Sequence, residues 1–417
     1  MGATTTAPWS PTYPPALATP ITSETLAAVR ALTAWVLQRE RATQAGSEPP
    51  PAPEALRQQL EALSAATLLQ GIQRHRLEPL LQADPGVGDL LPDLRGDLQR
   101  AARRESMAAL ALASLTREMT VLFAEAGIPL LVIKGIPLAL QTTGSLTARG
   151  RGDCDLFVDP AQVGAAIALL QSAGFALSYG ASCVGDDSMR GRYSRFVSIE
   201  ISLERHAGGR RQWIDLHWHA THVRGVLPGF QVLWQRGEVL HINGQPVRTL
   251  SHRDALVHAC CHATTDRWMA LRNLVDLERL GRALSSAQRV DLSRLRPVRK
   301  SWLALADAFE EDSLSWRLGR AQAVRLKAEV AQRQPWRSLG DGEWTVTNRL
   351  RYLAHTVNLS HHPVHGCSML LQQLMPPGDL VDPQTGEVRS LWQVVLWRGE
   401  KLRRRLKAQA ESPDRPV

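Results

Sequence analysis

The sequence predicts an α+β protein in which a small mixed β-sheet is flanked by extensive helical regions before and after it along the chain. Two observations support this prediction. Three short segments in the middle of the chain have the apolar character and length of buried strands, and they are Ile128–Ile133, Asp153–Val158 and Arg211–His219. On both sides of them, apolar residues recur at three- and four-residue spacing, as on the buried faces of amphipathic helices. We expect helices to pack on one side of the sheet.

Prolines and the change in periodicity divide the chain into successive regions. The first 22 residues combine several prolines with Thr, Ala and Ser, a composition that cannot bury enough apolar surface to become ordered. Consecutive prolines near residues 46–53 remove helix donors and predict a linker. The expected regions are a Pro-rich tail at 1–22, an N-terminal helical region at 23–106, a sheet-containing core at 107–250, a C-terminal helical region at 251–410 and a short tail at 411–417.

The helix signals are clearest on either side of the predicted strands. Apolar side chains recur along a helix expected from about Leu94 to Ala126, and Gly127 can provide its left-handed C-terminal cap. After the second strand, Asp159 is a good N-cap residue and Pro160 suits the first helical position. The chain is therefore expected to alternate between helix and strand in this core.

The composition limits the environment and the partners of the protein. The five cysteines are odd in number and show no Cys-x-x-Cys spacing, which argues against a disulfide framework and against a thiolate zinc site. No stretch approaches the roughly 18 consecutive apolar residues of a membrane span, so we expect a cytoplasmic protein without a membrane partner. Lys and Arg outnumber Asp and Glu by 49 to 40. This surplus suits a polyanion such as a nucleotide or RNA, and no DNA partner is expected.

An Asp-x-Asp pair provides the first chemical signal. Residues two apart in a strand project to the same face, so the carboxylates of Asp153 and Asp155 are expected to point together. The apolar residues that follow place this pair at a buried strand, where two carboxylates repel each other unless a cation neutralises them. Mg²⁺ prefers oxygen ligands and binds one or two carboxylates together with substrate phosphates. The pair therefore predicts a metal site for a phosphorylated substrate.

Basic and glycine residues before that pair predict a phosphate-binding site. Lys134 and Gly135 follow the first strand, where a glycine lets phosphate oxygens approach the backbone closely. Arg149 and Arg151 lie just before the aspartates, and either can neutralise a polyphosphate. Each arginine, taken singly, can equally belong to a solvated basic loop. Together the four residues are the candidate nucleotide-binding residues.

Several segments share a longer pattern with known enzymes. They are GIPLLVIKGIPLAL, Arg149 four residues before Asp153, DCDLFVDP followed by a helix that ends in AGF, and WIDLHWH. The pattern continues through SHRDALVHACCHATTDRWMALRNLVDLERL and MLLQQLMPPGDL, so that it covers about Ser64 to Lys407. This pattern resembles a bacterial family of uncharacterised nucleotidyltransferases, within the superfamily that includes kanamycin nucleotidyltransferase and DNA polymerase beta.

The resemblance implies a magnesium-dependent nucleotidyltransferase. The superfamily places two carboxylates on one strand and a third on a neighbouring strand around two Mg²⁺ ions, which implies Asp153, Asp155 and Asp215 as metal ligands and catalytic residues. The implied reaction moves a nucleoside monophosphate from a nucleoside triphosphate, with ATP expected, to an acceptor hydroxyl and releases pyrophosphate. The acceptor is a small molecule, a protein or an RNA end. One departure is that Lys134-Gly135 stands where the superfamily usually has Gly-Ser.

The third strand segment adds two histidines to the candidate site. In WIDLHWH the side chains of Asp215, His217 and His219 alternate onto one face of the strand. Asp215 can approach Asp153 and Asp155 if the two strands are adjacent and antiparallel. His217 and His219 are then candidates for contacting the substrate or supporting the acids, and a plain structural role is the alternative.

Other functions are also compatible with this sequence. A catalytically silent protein would keep the fold as a nucleotide-binding or partner-binding module, although all three carboxylate positions are filled. A toxin-like transferase would modify tRNA or protein, which the surplus of positive charge permits. A zinc site at His258 and His262 is disfavoured, because the neighbouring Cys260 and Cys261 lie in an amphipathic helix where thiols are commonly core residues.

Overall fold

A computed structural model of the chain describes residues 21–177, 184–268, 270–309, 353–375, 380, 389–390, 392–400 and 403. The expected tail at 411–417 and the first 20 residues lie outside the described residues, as does most of the chain after residue 309.

Helices lie before, between and after the strands. The N-terminal helices are α1 Ser23–Gln44, α2 Glu54–Glu61, α3 Ala65–Arg74, α4 Glu78–Ala83, α5 Pro85–Leu90 and α6 Arg95–Glu125. The central elements are β1 Leu131–Val132, α7 Gly135–Thr143, β2 Asp155–Phe157, α8 Val163–Ser172, β3 Ala176–Leu177, α9 Met189–Val197, β4 Glu200–Ala207, β5 Arg210–His217, α10 Phe230–Arg236, β6 Glu238–Ile242 and β7 Gln245–Thr249. The later helices are α11 His252–Thr265, α12 Leu271–Arg282, α13 Ser286–Leu292, α14 Arg296–Phe309 and α15 Pro363–Leu374.

The central sheet has five strands in the order β1-β2-β5-β4-β3. Strands β2 and β5 run parallel, and the other three neighbouring pairs are antiparallel. The sheet is therefore mixed, and the predicted α+β class is confirmed. The first two strands are shorter than predicted, because only Leu131–Val132 and Asp155–Phe157 join the ladder.

The antiparallel arrangement considered for the second and third predicted strands is wrong. Asp155 pairs with Asp215 in a parallel register. The chain leaves β2 through α8, forms the far edge strand β3 and then the β4–β5 hairpin, so that β5 returns beside β2 in the same direction. Adjacent parallel strands still place the two aspartates side by side, because paired residues project to the same face.

One face of the sheet packs against α6 and α8. Leu156 and Leu216 project toward these helices, because alternate residues of a strand share a face. Helix α6 contributes Met119 and Phe123, which are both fully buried. Complete burial of such side chains contributes about 1.5–3 kcal/mol each. This apolar layer holds the short strands in place.

The opposite face carries the acidic residues and is partly covered by later helices. Asp155 and Phe157 are two residues apart in β2, and Phe157 packs edge-on against Phe230 of α10 with ring centroids 5.2 Å apart. The same apolar cluster includes side chains of α11 and α12. The expectation of helices on one side only is therefore wrong, because Phe157 and its neighbours form a second apolar surface that also has to be buried.

Helix α6 joins the N-terminal helices to the sheet. It runs without interruption through the expected boundary between residues 106 and 107. Leu98 packs into the apolar cluster that the N-terminal helices share with the later helices, whereas Ala109 and Met119 pack into the cluster on the other face of the sheet. By length and hydropathy the segment Pro92–Glu125 could also cross a membrane, which is weak evidence because core helices pass the same test. The same helix thus belongs to both cores.

Candidate active site

The loop between β1 and α7 forms one wall of the candidate site. Gly135 has a backbone φ of +59°, in the left-handed region that glycine adopts without strain. A Cβ atom at this position would lie 2.3 Å from the carbonyl oxygen of Asp153. The two loops therefore touch backbone to backbone, and Gly135 sets the spacing between Lys134 and the Asp-x-Asp segment.

We expect Gly135→Ala to displace the Asp153 segment, because the new Cβ would clash with a backbone atom that cannot rotate away. The expected cost is about 2–4 kcal/mol of unfolding free energy, from the clash and the positive φ together. The matched control is Gly144→Ala, where φ is +66° and nothing lies within 4 Å of the added Cβ. Thermal and urea unfolding of both variants measure the difference. Equal losses would show that backbone strain alone, and not the contact with Asp153, explains the effect.

Asp155 lies at the buried base of the site, with 2% of its side chain exposed. Its Oδ1 atom is 3.3 Å from Nζ of Lys134 and 3.2 Å from Nε2 of His217. Its Oδ2 atom is buried and has no hydrogen-bond partner among the described residues. Burial favours the neutral acid, but Lys134 and His217 outweigh it and hold the pKa of Asp155 below its ordinary value. The residue is therefore an ionised carboxylate with one oxygen left open.

Asp215 lies beside Asp155 on β5, and hydrogen bonds hold its carboxylate. Oδ1 accepts from the hydroxyl of Ser202 and from Nε1 of Trp213 at 3.2 Å. Burial, together with the negative charges of Glu200 and Asp155, raises the pKa of Asp215 to about 7. Crowding of like charges on this face is the condition that a divalent cation would relieve.

Glu200 is a site residue that the sequence argument missed. It faces His217 across the β4–β5 hairpin, with Oε2 3.1 Å from Nδ1 of His217. This is close enough for an ion pair, although Nδ1 is not aligned for a hydrogen bond. Burial favours the neutral ring, but the carboxylates of Glu200 and Asp155 raise the pKa of His217. His217 is therefore a buried residue that lies between two acids, Asp155 and Glu200, and supports their positions.

A pocket opens between the Asp-x-Asp segment and the helices α7, α11 and α12. Asp153 is exposed and Asp155 is buried, and both belong to its wall. Its lining residues are Lys134, Gly135, Leu138, Arg149, Gly152, Asp153, Asp155, His258, Ala259, His262, Arg272, Asn273 and Asp276. Among the described residues, no three His, Cys, Asp or Glu side chains form a ready-made metal cluster. In this arrangement Lys134 and His217 occupy Oδ1 of Asp155 instead.

The two predicted loop arginines have different surroundings. Arg149 is buried and makes a bidentate ion pair with Asp276 of α12, through Nε at 2.9 Å and Nη2 at 2.8 Å. Arg151 is half exposed and lies 3.5 Å from a carboxylate oxygen of Glu105. Arg149 therefore lines the pocket while Asp276 holds its guanidinium. Arg151 is not among the described residues that line the pocket.

The histidines named in the sequence analysis also have different surroundings. His219 follows the end of β5, where its ring is hydrogen-bonded to the backbone of Arg195, and burial together with Arg224 lowers its pKa to about 3. It does not line the pocket among the described residues. His258 and His262 of α11 do line it, and burial lowers the pKa of His258 to about 3. Both histidines were considered as zinc ligands from the sequence and not as residues of the nucleotide site, although their spacing of four residues already placed them on one helix face.

Comparison with protein families adds an independent observation. The chain matches the model of a family described as uncharacterised nucleotidyltransferase over residues 61–305, which is more than half of its 417 residues. A comparison with curated proteins finds no match. The matched range includes every site residue from Lys134 to Asp276. The chain therefore belongs to this family of uncharacterised nucleotidyltransferases.

Proposed function

We propose that the protein transfers a nucleoside monophosphate from a nucleoside triphosphate, with ATP the expected donor, to a hydroxyl group of an acceptor. One observation carries the proposal. A buried, ionised Asp155 has no hydrogen-bond partner for Oδ2 among the described residues, and it lies beside Asp153 on the wall of one pocket and next to Asp215 on the adjacent strand. Pairs of carboxylates at a pocket commonly bind the metal ion of a metal–nucleotide complex.

The side chains present suit Mg²⁺. Oδ2 of Asp155, which no residue in the described part of the chain contacts by a hydrogen bond, and the exposed carboxylate of Asp153 are hard oxygen donors. Asp215 supplies a third carboxylate on the same face as Asp155. When bound, the metal would neutralise phosphate oxygens and favour deprotonation of the acceptor hydroxyl. We therefore propose Asp153, Asp155 and Asp215 as the residues that would hold Mg²⁺, and we propose two ions from the number of carboxylates.

The remaining residues orient the substrates. His217 and Lys134 fix the position of the Asp155 carboxylate through Oδ1. Gly135 leaves room beside the Asp153 backbone, and it begins α7, where backbone amides and the helix dipole favour an anion. We propose Asp215, on the strand next to Asp155, as the residue that accepts the proton released by the acceptor hydroxyl.

The proposal is tested by incubating the purified protein with each α-labelled nucleoside triphosphate, Mg²⁺ and a cell lysate. We expect the label to move to an acceptor and pyrophosphate to appear. Asp153→Asn is the matched variant, since Asp153 is exposed and its replacement leaves the buried contacts intact. Transfer that is absent in the wild type, or equal in both proteins, would contradict the proposal.

A second candidate is a nucleotide-binding module without catalysis. The observation that favours it is the ion pair between Lys134 and Asp155, 3.3 Å apart, which already neutralises the buried carboxylate. Such a protein would bind a nucleotide through the same pocket but transfer nothing. The two candidates differ in whether Asp155 can exchange its lysine partner for a metal.

We expect Lys134→Met to bind Mn²⁺ about tenfold more tightly than the wild type in the absence of nucleotide, because the ammonium no longer competes for Asp155. We also expect it to bind a triphosphate less tightly than the wild type while binding the monophosphate equally, if the ammonium moves to the phosphates in the complex. Lys134→Arg is the control that keeps the charge. Metal titration by electron paramagnetic resonance measures the first effect. Unchanged Mn²⁺ affinity would show that Lys134 and the metal do not share Asp155.

A further inference from the structure

Three basic side chains line the pocket, and two of them already have a carboxylate partner. Lys134 pairs with Asp155. Arg149 pairs with Asp276. Arg272, in the first turn of α12, forms no ion pair within the part of the chain that the structure describes, and its buried Nε atom has no hydrogen-bond partner there. Among the described residues, Arg272 is therefore the arginine or lysine of the pocket that has no ion pair of its own.

The position of Arg272 is nevertheless fixed. Its Nη1 atom donates a hydrogen bond of 2.6 Å to the carbonyl oxygen of Arg151, two residues before Asp153. The guanidinium is thus tied to the loop that carries the acidic pair. Burial, and the positive charges of Arg149 and Arg76, lower the pKa of Arg272 to about 9. The surroundings of this cation are unfavourable until an anion enters.

A guanidinium in such a place is suited to phosphate. Its planar set of donors matches phosphate oxygens, and it stays charged at neutral pH even in this environment. Desolvation of a partly buried guanidinium that has no carboxylate partner among the described residues costs free energy, which binding of an anion recovers. Asp153 and Asp155, two of the acids that would hold the metal, lie on the same pocket wall, so a metal-bound polyphosphate would bring its metal to these acids and its phosphates to the guanidinium.

We propose that Arg272 binds the polyphosphate tail of the nucleoside triphosphate, a role for which the sequence pointed to Arg149 and Arg151. This inference rests on the proposed function and names the anion contact of that site. Arg149 is held through two of its nitrogen atoms by Asp276. Arg151 offers its backbone carbonyl to Arg272 while its side chain turns toward Glu105. Within the part of the chain that the structure describes, no carboxylate pairs with Arg272, so its guanidinium can take a phosphate partner.

The test compares the wild type with Arg272→Gln, Arg272→Lys and the control Arg253→Gln. Arg253 lies on α11, is half exposed, and pairs with Asp291 away from the pocket. Calorimetric titrations in Mg²⁺ use three probes: α,β-methylene-ATP, inorganic tripolyphosphate and AMP. We expect Arg272→Gln to raise the dissociation constant of both polyphosphates about 10- to 100-fold, the range for one charge-assisted hydrogen bond, with little change for AMP. Arg272→Lys should retain part of the affinity, and Arg253→Gln all of it.

The outcomes separate the role of Arg272 from the function of the protein. If the wild type binds both polyphosphates and Arg272→Gln binds them equally well, Arg272 is not the phosphate contact and the proposed function stands. If the wild type binds neither polyphosphate, both proposals fail. Melting temperatures show whether Arg272→Gln is folded. If Arg272→Gln is not folded, the folded Arg272→Lys variant is compared instead. The inference would be overturned if Arg272→Lys bound all three probes as tightly as Arg253→Gln does.

Discussion

Asp155→Asn is expected to abolish nucleotide transfer and also to destabilise the protein. Removal of groups that merely support metal ligands costs about 10- to 100-fold in activity, so loss of a ligand itself should exceed a hundredfold. The same change leaves the ammonium of Lys134 beside a neutral amide, at a cost of about 1–3 kcal/mol. Transfer assays with labelled nucleotide measure the first effect, and urea unfolding measures the second.

The contrast with Asp153→Asn makes this prediction specific. Asp153 is exposed, so its replacement should remove transfer while leaving the free energy of unfolding within about 0.5 kcal/mol of the wild type. The two variants are thus expected to lose transfer alike and to differ in their free energy of unfolding. Transfer by Asp155→Asn within about threefold of the wild type would remove this residue from the site.

Arg149→Met is expected to cost about 3–5 kcal/mol of stability, the range for breaking a buried ion pair and leaving one charge behind. The side chains of Arg149 and Asp276 are 7% and 3% exposed, and they join the Asp-x-Asp loop to α12. Asp276→Leu should cost a similar amount. The double variant Arg149→Met, Asp276→Leu should recover much of the loss, because no uncompensated charge remains.

Arg151→Met is the matched control for this cycle. Arg151 is half exposed, its carboxylate partner is 3.5 Å away, and a surface pair of this kind contributes about 0–1 kcal/mol. Urea unfolding of the wild type, Arg149→Met, Asp276→Leu and the double variant gives the coupling energy directly. A loss below about 1 kcal/mol in Arg149→Met would mean that the ion pair does not hold α12 against the loop.

Local patterns in the sequence predicted part of the fold. The left-handed cap at Gly127 is confirmed by a φ of +67°, and Asp159 accepts a hydrogen bond from the amide of Ala161 as an N-cap should. Strand β4 was missed although Ile201 and Leu203 alternate with polar residues. The hairpin of β6 and β7 was also missed, although the Asn-Gly dipeptide between them is a strong turn signal.

The candidate site was only partly predictable for a different reason. Asp153 and Asp155 are close in sequence, so a strand periodicity of two was enough to place them near one another. Asp276 and Arg272 reach the pocket from a helix more than a hundred residues later, and no local pattern reports such a contact. The electrostatic repulsion expected between Asp153 and Asp155 is also reduced, because the ammonium of Lys134 neutralises the charge of Asp155.

The parallel pairing of β2 with β5 has a consequence for the order of folding. Strands β4 and β5 are joined by the tight Gly208-Gly209 turn, so their hairpin closes a short loop and can form early. The pairing of Asp155 with Asp215 closes a much longer loop and is expected to follow. Asp155 then docks against acids that are already in place. Lys134 follows β1, which pairs with β2, so its positive charge lies beside Asp155 when β2 docks against β5. The kinetic barrier to this docking is therefore expected to rise if that lysine is lost.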